Sequence, residues 1–145
     1  MEKIAAIREL LGGKKVIGSL PTSEFDFVPV IRRGVLSTAL SAIRDKSQLT
    51  EEVIYDSLRI ARRTAQRRKS QSDRLKPAES ELLLRLAQVL ATAADVLGDL
   101  DQARDWILRE NRALGGECPI RLLDTGYGFQ EVLNLLGRIE HGVHS

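Results

Sequence analysis

The chain has 145 residues, 43% of them hydrophobic and 29% charged, which suits one compact domain, or two small helical modules sharing a core, beneath a well-solvated surface. A single cysteine, Cys118, excludes an internal disulfide. No apolar run approaches the roughly 20 residues of a membrane helix, and Met1-Glu2-Lys3-Ile4 has no signal-peptide character, so a cytoplasmic protein is expected. The formal net charge of +2 hides a strong division. Residues 1–58 balance to zero, residues 59–76 carry eight basic side chains against Asp73, and residues 77–145 are acidic by five. A cationic belt of this kind suggests nucleic acid, while the acidic remainder argues against a protein that coats DNA uniformly.

The spacing predicts helices nearly throughout and no convincing strand. Ile4, Ile7, Leu10 and Leu11 fit a short helix that stops at Gly12-Gly13. Residues 13–24, with Pro21, Thr22 and Ser23, read as a loop. Phe25 to Arg33 reads as a helix in which Pro29 is a kink or a boundary. Leu36, Ala39, Leu40 and Ile43 mark the next apolar stripe, ending near Lys46.

Thr50 is placed to cap a helix, because its hydroxyl can accept a bond from an orphan backbone N–H. Glu51 and Glu52 then suit the positive end of the helix dipole. Val53, Ile54 and Leu58 face inward, and a break follows near Arg59-Ile60. Pro77 opens the longest helix, on which Leu82, Leu83, Leu86, Val89, Leu90, Ala93 and Leu97 recur at three- and four-residue steps up to Gly98. A helix over 100–109 has Ala103, Trp106 and Ile107 inward. A loop spans Asn111 to Pro119, a helical turn runs from Ile120 to Leu123, and the last helix carries Phe129, Val132, Leu133, Leu136 and Ile139. The predicted division is a helical region over 1–76 and a second module over 77–145 that includes the long linking helix.

Residues 50–69 have the plan of a helix-turn-helix. A short amphipathic helix and a tight break precede a segment rich in long polar side chains: Arg62, Arg63, Thr64, Gln66, Arg67, Arg68 and Lys69. The major groove admits one helix; arginine can grip guanine and glutamine adenine through paired bonds. These side chains cannot all share one face, so some are expected on bases and some on phosphates. The competing reading is an ordinary solvated helix, and Lys14-Lys15 and Arg32-Arg33 are read as ordinary surface. Operator DNA is the expected partner, bound by a homodimer, because helix-turn-helix proteins read paired half-sites.

The C-terminal half is more specific. Trp106-Ile107-Leu108, Asn111-Arg112-Ala113-Leu114-Gly115-Gly116, Pro119-Ile120-Arg121-Leu122-Leu123-Asp124-Thr125 and Leu136-Gly137-Arg138-Ile139-Glu140-His141-Gly142-Val143 occur in that order. With Arg63-Thr64, Arg67-Arg68 and Leu75-Lys76-Pro77-Ala78-Glu79 before them, they resemble the antitoxins of the Xre/MbcA/ParS type over roughly residues 25–145. Two places depart from the pattern: Glu110 stands where proline is expected, and Gly126-Tyr127-Gly128 is glycine-rich for a helix start.

The resemblance implies an all-α fold, with an N-terminal Xre-like helix-turn-helix bundle joined by a long helix to a C-terminal toxin-binding domain. It implies a cognate RES-domain toxin that consumes NAD+ and is blocked by C-terminal residues of the antitoxin, and an operon repressed by its own product. The toxin-binding candidates are Asn111, Leu114, Gly115, Gly116, Arg138, Glu140, His141, Val143 and Ser145. Arg138 either pairs with charged groups in the toxin's site or caps its own helix. Asn111, Gly115 and Gly116 either shape a recognition loop or only punctuate the chain. Trp106 reads as a packing residue.

Cys118, His141 and His144 do not have metal-ligand spacing. No catalytic set, phosphate loop or cofactor motif stands out, so neither an enzyme nor a cofactor is expected. The alternative function is a stand-alone transcriptional regulator whose C-terminal half only dimerises.

Overall fold

The computed structural model of the chain describes residues 2–19 and 21–142. Among them are nine α-helices, short 3-10 turns and no strand, so the all-α expectation holds. No helix among the described residues is long and apolar enough to cross a membrane.

The N-terminal part contains α1 (Glu2–Leu10), α2 (Lys14–Ile17), α3 (Phe27–Arg33), α4 (Thr38–Ser47), α5 (Glu51–Leu58) and α6 (Arg62–Ser70). The loop expected over 13–24 contains α2, because Ile17 is buried and anchors one extra helical turn. Pro29 neither kinks nor bounds α3. It sits in the first turn, where backbone N–H groups have no helical partner to lose. The entry to α3 is a 3-10 turn, Glu24–Asp26, held by the Asp26 carboxylate, which accepts from the N–H groups of Thr22 at 2.9 Å and Ser23 at 3.2 Å.

The C-terminal part contains α7 (Pro77–Leu97), α8 (Leu100–Leu108) and α9 (Gly126–Glu140), with 3-10 turns at Arg112–Leu114 and Pro119–Leu122. Thr50, Asp99 and Thr125 cap α5, α8 and α9 by accepting from backbone N–H groups three residues on.

α7 is the axis of the molecule. It packs against α1, α3, α5, α8 and α9, and Leu83, Leu86, Ala87, Val89, Leu90 and Ala93 are fully buried. A helix apolar on most of its circumference belongs inside a core. One continuous core therefore runs from Ile7 and Leu11 in α1 to Val132 and Leu136 in α9. Truncating Leu86 or Leu90 to alanine would cost about 2–5 kcal/mol in lost burial and cavity formation.

Two glycines are dictated by close approach. Gly34 has φ +93°, and a Cβ there would run into the Leu75 carbonyl. At Gly128 a Cβ would run into the Leu122 carbonyl. Gly128 is therefore what lets the start of α9 rest on the preceding turn, whereas a Cβ at Gly126 would meet nothing.

Candidate nucleic-acid interface and partner-binding module

α5 and α6 meet at a tight turn. Arg59 takes a left-handed conformation with φ 57°, which an L-residue adopts at a cost of about 1–2 kcal/mol. Ile60, 6% exposed, plugs the turn into the core, and its N–H donates to the Tyr55 carbonyl at 3.0 Å. This pair realises the helix-turn-helix expected over residues 50–69.

The polar side chains of α6 divide sharply. Arg62, Arg63, Gln66 and Arg67 are exposed, and Thr64 is half-buried. Arg63, Gln66, Arg67 and Ser70 follow steps of three and four, so they form one outward stripe. Ala65 is buried beneath it.

Arg68 departs from the expected DNA-facing set. It is 8% exposed and forms an ion pair with Glu79 in the first turn of α7. The reason is its place on the inward side of α6, where a lone guanidinium would be costly and a carboxylate partner is supplied. The Ser37 hydroxyl donates to the Arg68 carbonyl at 3.0 Å and pins the same turn.

Lys69 is also drawn inward, donating to Glu51 at 3.0 Å and to the Tyr55 hydroxyl at 3.3 Å. Burial opposes its charge, yet the bonds to Glu51 and Tyr55 hold its pKa above the ordinary lysine value. Glu51 also accepts from Arg44 at 2.7 Å and lies 3.7 Å from Arg62. With Lys69 as the strongest influence, its carboxyl is held below the usual range. Glu51 thus ties α4 and both ends of α6 to the first turn of α5. Its sequence signal was a dipole-favourable acid; that three cations converge on it needed the fold.

In the C-terminal module, Asn111 organises its own loop. Its side-chain oxygen accepts from the Ala113 N–H at 3.0 Å, and its carbonyl accepts from Leu114 at 3.0 Å and Gly116 at 2.9 Å. Gly115 and Gly116 have φ of 70° and 87°, are exposed and border open space. Leu114 is 8% exposed and packs into the core, so its role in the loop is anchorage. Trp106 is half-buried against the core, as expected.

The turn at Arg112–Leu114 packs against α9, which brings the loop and the last helix together. Toward its end α9 itself lines a shallow hollow of about 420 Å³ with Leu133, Asn134, Gly137, Arg138 and His141. The Asn111–Gly116 loop is not part of that hollow. The Arg138 side chain makes no ion pair and no hydrogen bond among the described residues, and the helix end is closed by the His141 N–H donating to the Gly137 carbonyl at 3.1 Å. Glu140 and His141 are exposed. Val143, His144 and Ser145 lie outside the described residues.

The two parts touch directly. Arg59, in the helix-turn-helix turn, pairs with Asp124 at 2.8 Å across a groove of about 650 Å³. Within the C-terminal part, Arg85 of α7 donates to the Leu123 carbonyl at 2.9 Å and stands 5.7 Å from the Phe129 ring centre, a cation–π distance. Neither contact was expected from the sequence, because each joins residues at least 38 positions apart.

Comparison with known proteins supports both parts. The model of the antitoxin Xre-like helix-turn-helix domain matches residues 26–88. That of the antitoxin Xre/MbcA/ParS C-terminal toxin-binding domain matches residues 92–142. The two ranges meet inside α7. An antitoxin Xre of Photorhabdus laumondii is 34% identical over 117 residues, covering 80% of this chain and 79% of the relative. An antitoxin Xre of Yersinia enterocolitica is 33% identical over 119 residues, covering 81% and 80%. A protein of a Sphingobium species named Prs ADP-ribosylating antitoxin is 30% identical over 129 residues, covering 83% and 81%. Both matched domains fall on helices already distinguished by their geometry, and the chain belongs to the Xre antitoxin family.

Proposed function

We propose that this antitoxin neutralises a toxin encoded beside it through its C-terminal module, and represses their shared operon through the outward stripe of α6. The observation that carries the reading is the coexistence, on one core, of an outward arginine stripe and a matched toxin-binding domain. Arg63 and Arg67 pair with no carboxylate among the described residues, which suits them to base edges and phosphates in the major groove. Arg62 and Gln66 flank them. A homodimer would place two such stripes one DNA turn apart.

The toxin partner is a RES-domain protein that uses NAD+. One relative's name refers to ADP-ribosylation of Prs, and ADP-ribosylation draws on NAD+. The exposed end of α9, with Arg138, Glu140, His141 and the tail that includes Val143 and Ser145, reaches the toxin's NAD+ site and occludes it. A planar guanidinium such as Arg138 suits a phosphate-selective or acidic pocket. Asn111, Gly115 and Gly116 shape a second contact at the exposed loop.

Co-expression with the neighbouring gene tests this reading. The full chain should restore growth and NAD+ levels, and a chain ending at Gly137 should lose rescue while still retarding a duplex from its own promoter. Undiminished rescue by the shortened chain would refute the occlusion mechanism.

A further inference from the structure

Arg32 and Arg33 look like ordinary surface in the sequence, but the fold moves them. The segment after α3 runs antiparallel to the segment after α6. Leu36 bridges Arg74, the Ser37 N–H donates to the Asp73 carbonyl at 2.9 Å, and the Leu75 N–H donates to the Val35 carbonyl at 2.8 Å. The Asp73 N–H and the Ser37 hydroxyl both reach the Arg68 carbonyl, at 2.8 and 3.0 Å, so this paired segment is fastened to the last turns of α6. Arg74 then lies over the end of α3, donating one guanidinium N–H to the Gly34 carbonyl at 2.8 Å. Gly34 is what allows the approach, since a Cβ there would be blocked by the Leu75 carbonyl.

Arg32, Arg33 and Arg74 are all exposed, and none pairs with a carboxylate among the described residues. By contrast Arg44, Arg59, Arg62, Arg68 and Lys69 all have acidic partners. Unneutralised cations beside a recognition helix point to a polyanion. Arg33 is four residues from Ser37, so it lies within about 14 Å of Ser37 at full extension, and the Ser37 hydroxyl is bonded to the Arg68 carbonyl at 3.0 Å. Arg74 follows α6 by only four residues, and phosphates on one DNA strand recur about every 3.4 Å of helix axis, so a cation this close to the end of α6 is within reach of phosphates flanking the groove that α6 enters.

We infer that Arg33 and Arg74, with Arg32 beside them, form a clamp for DNA-backbone phosphates that flanks the groove read by α6. Arg74 serves twice: one N–H closes α3, and the remaining donors face solvent. The clamp carries no base preference; it fixes where α6 sits on the duplex. The inference rests on the DNA-binding reading given above and extends its footprint beyond the 62–69 segment.

The experiment measures binding of the full chain to a labelled duplex from its own promoter and to an unrelated duplex of equal length, across a series of salt concentrations. Arg33→Gln with Arg74→Gln should weaken both duplexes by the same factor. It should make the plot of log affinity against log salt shallower by about 1.8, roughly 0.9 for each lost contact. Arg33→Lys with Arg74→Lys should restore the slope, since phosphate neutralisation needs the charge. Matching melting temperatures will show that the variants fold alike.

An unchanged slope in the glutamine variant, alongside weakened binding by Arg67→Ala, would overturn the clamp and leave the recognition helix standing. Loss of toxin binding with operator binding intact would overturn it in favour of an acidic protein surface. No binding of either duplex by the unaltered chain would overturn the DNA-binding reading itself, and the clamp with it.

Discussion

Two polar stretches, residues 62–69 and residues 111–116, attract the same suspicion in the sequence, and the fold divides both in the same way. In the first, Arg63 and Arg67 face outward while Arg68 turns in to Glu79. In the second, Gly115 and Gly116 are exposed while Asn111 bonds its own loop and Leu114 enters the core. In each case the outward residues proposed for recognition are held in shape by neighbours that look equally functional. The lesson is that residue type nominates a contact, but burial and available partners decide between touching a ligand and positioning the residue that does.

The largest effect expected from this division is at Arg68. Arg68→Ala leaves the mostly buried Glu79 carboxylate without its cation, with the Lys76 N–H at 2.8 Å as its remaining partner, which should cost about 3 kcal/mol, measured by denaturant unfolding. Arg67→Ala, one residue away, should change stability by no more than about 0.5 kcal/mol but weaken operator binding by about 1–3 kcal/mol if it grips a base. Equal stability losses at the two positions would erase the distinction between inward and outward arginines.

Next in size is Asn111→Ala. It removes the acceptor for the Ala113 N–H and should cost about 1 kcal/mol, as for other lost Asn caps. The same change should weaken toxin binding through loop distortion. Toxin affinity that falls with no change in melting would mean that Asn111 touches the toxin itself.

The smallest effect is at Glu51. Removing a negative charge from beside the proposed DNA-binding surface should, on charge alone, tighten operator binding. Because Glu51 holds Arg62 and Lys69 in place, Glu51→Gln should weaken it instead. Its carboxyl has a lowered pKa in the fold. The stability it contributes is therefore complete above the ordinary carboxylate value of 4.5 and disappears as pH falls through the lower folded value. Melting temperature measured from neutral to acid pH should converge for the wild type and Glu51→Gln below that window. Curves that run parallel throughout would show that the clasp contributes nothing.

Much of the architecture was legible because it depends on local rules. The caps at Thr50 and Gly98, the helix start at Pro77 and the three- and four-residue apolar steps of α7 appear where periodicity and capping place them. The helix-turn-helix was equally readable, since its apolar face and its break are both local. The hidden features are those made by distant pairs. α2 escaped because one buried residue, Ile17, stabilises it. Gly128 looked like a weakness in α9 until the Leu122 carbonyl beneath it became visible.

Helix order, fold class and family membership thus follow from residues close together along the chain, because capping and amphipathic spacing act within a few turns. The sorting of arginines into clasped and available, the convergence of Arg44, Arg62 and Lys69 on Glu51, and the approach of Arg74 to the Gly34 carbonyl beside Arg33 were settled by tertiary structure alone. The physical reason is that a charged side chain's role depends on its desolvation and its partners. Both are set by which helix packs opposite, a property of the folded chain that no short window of sequence contains.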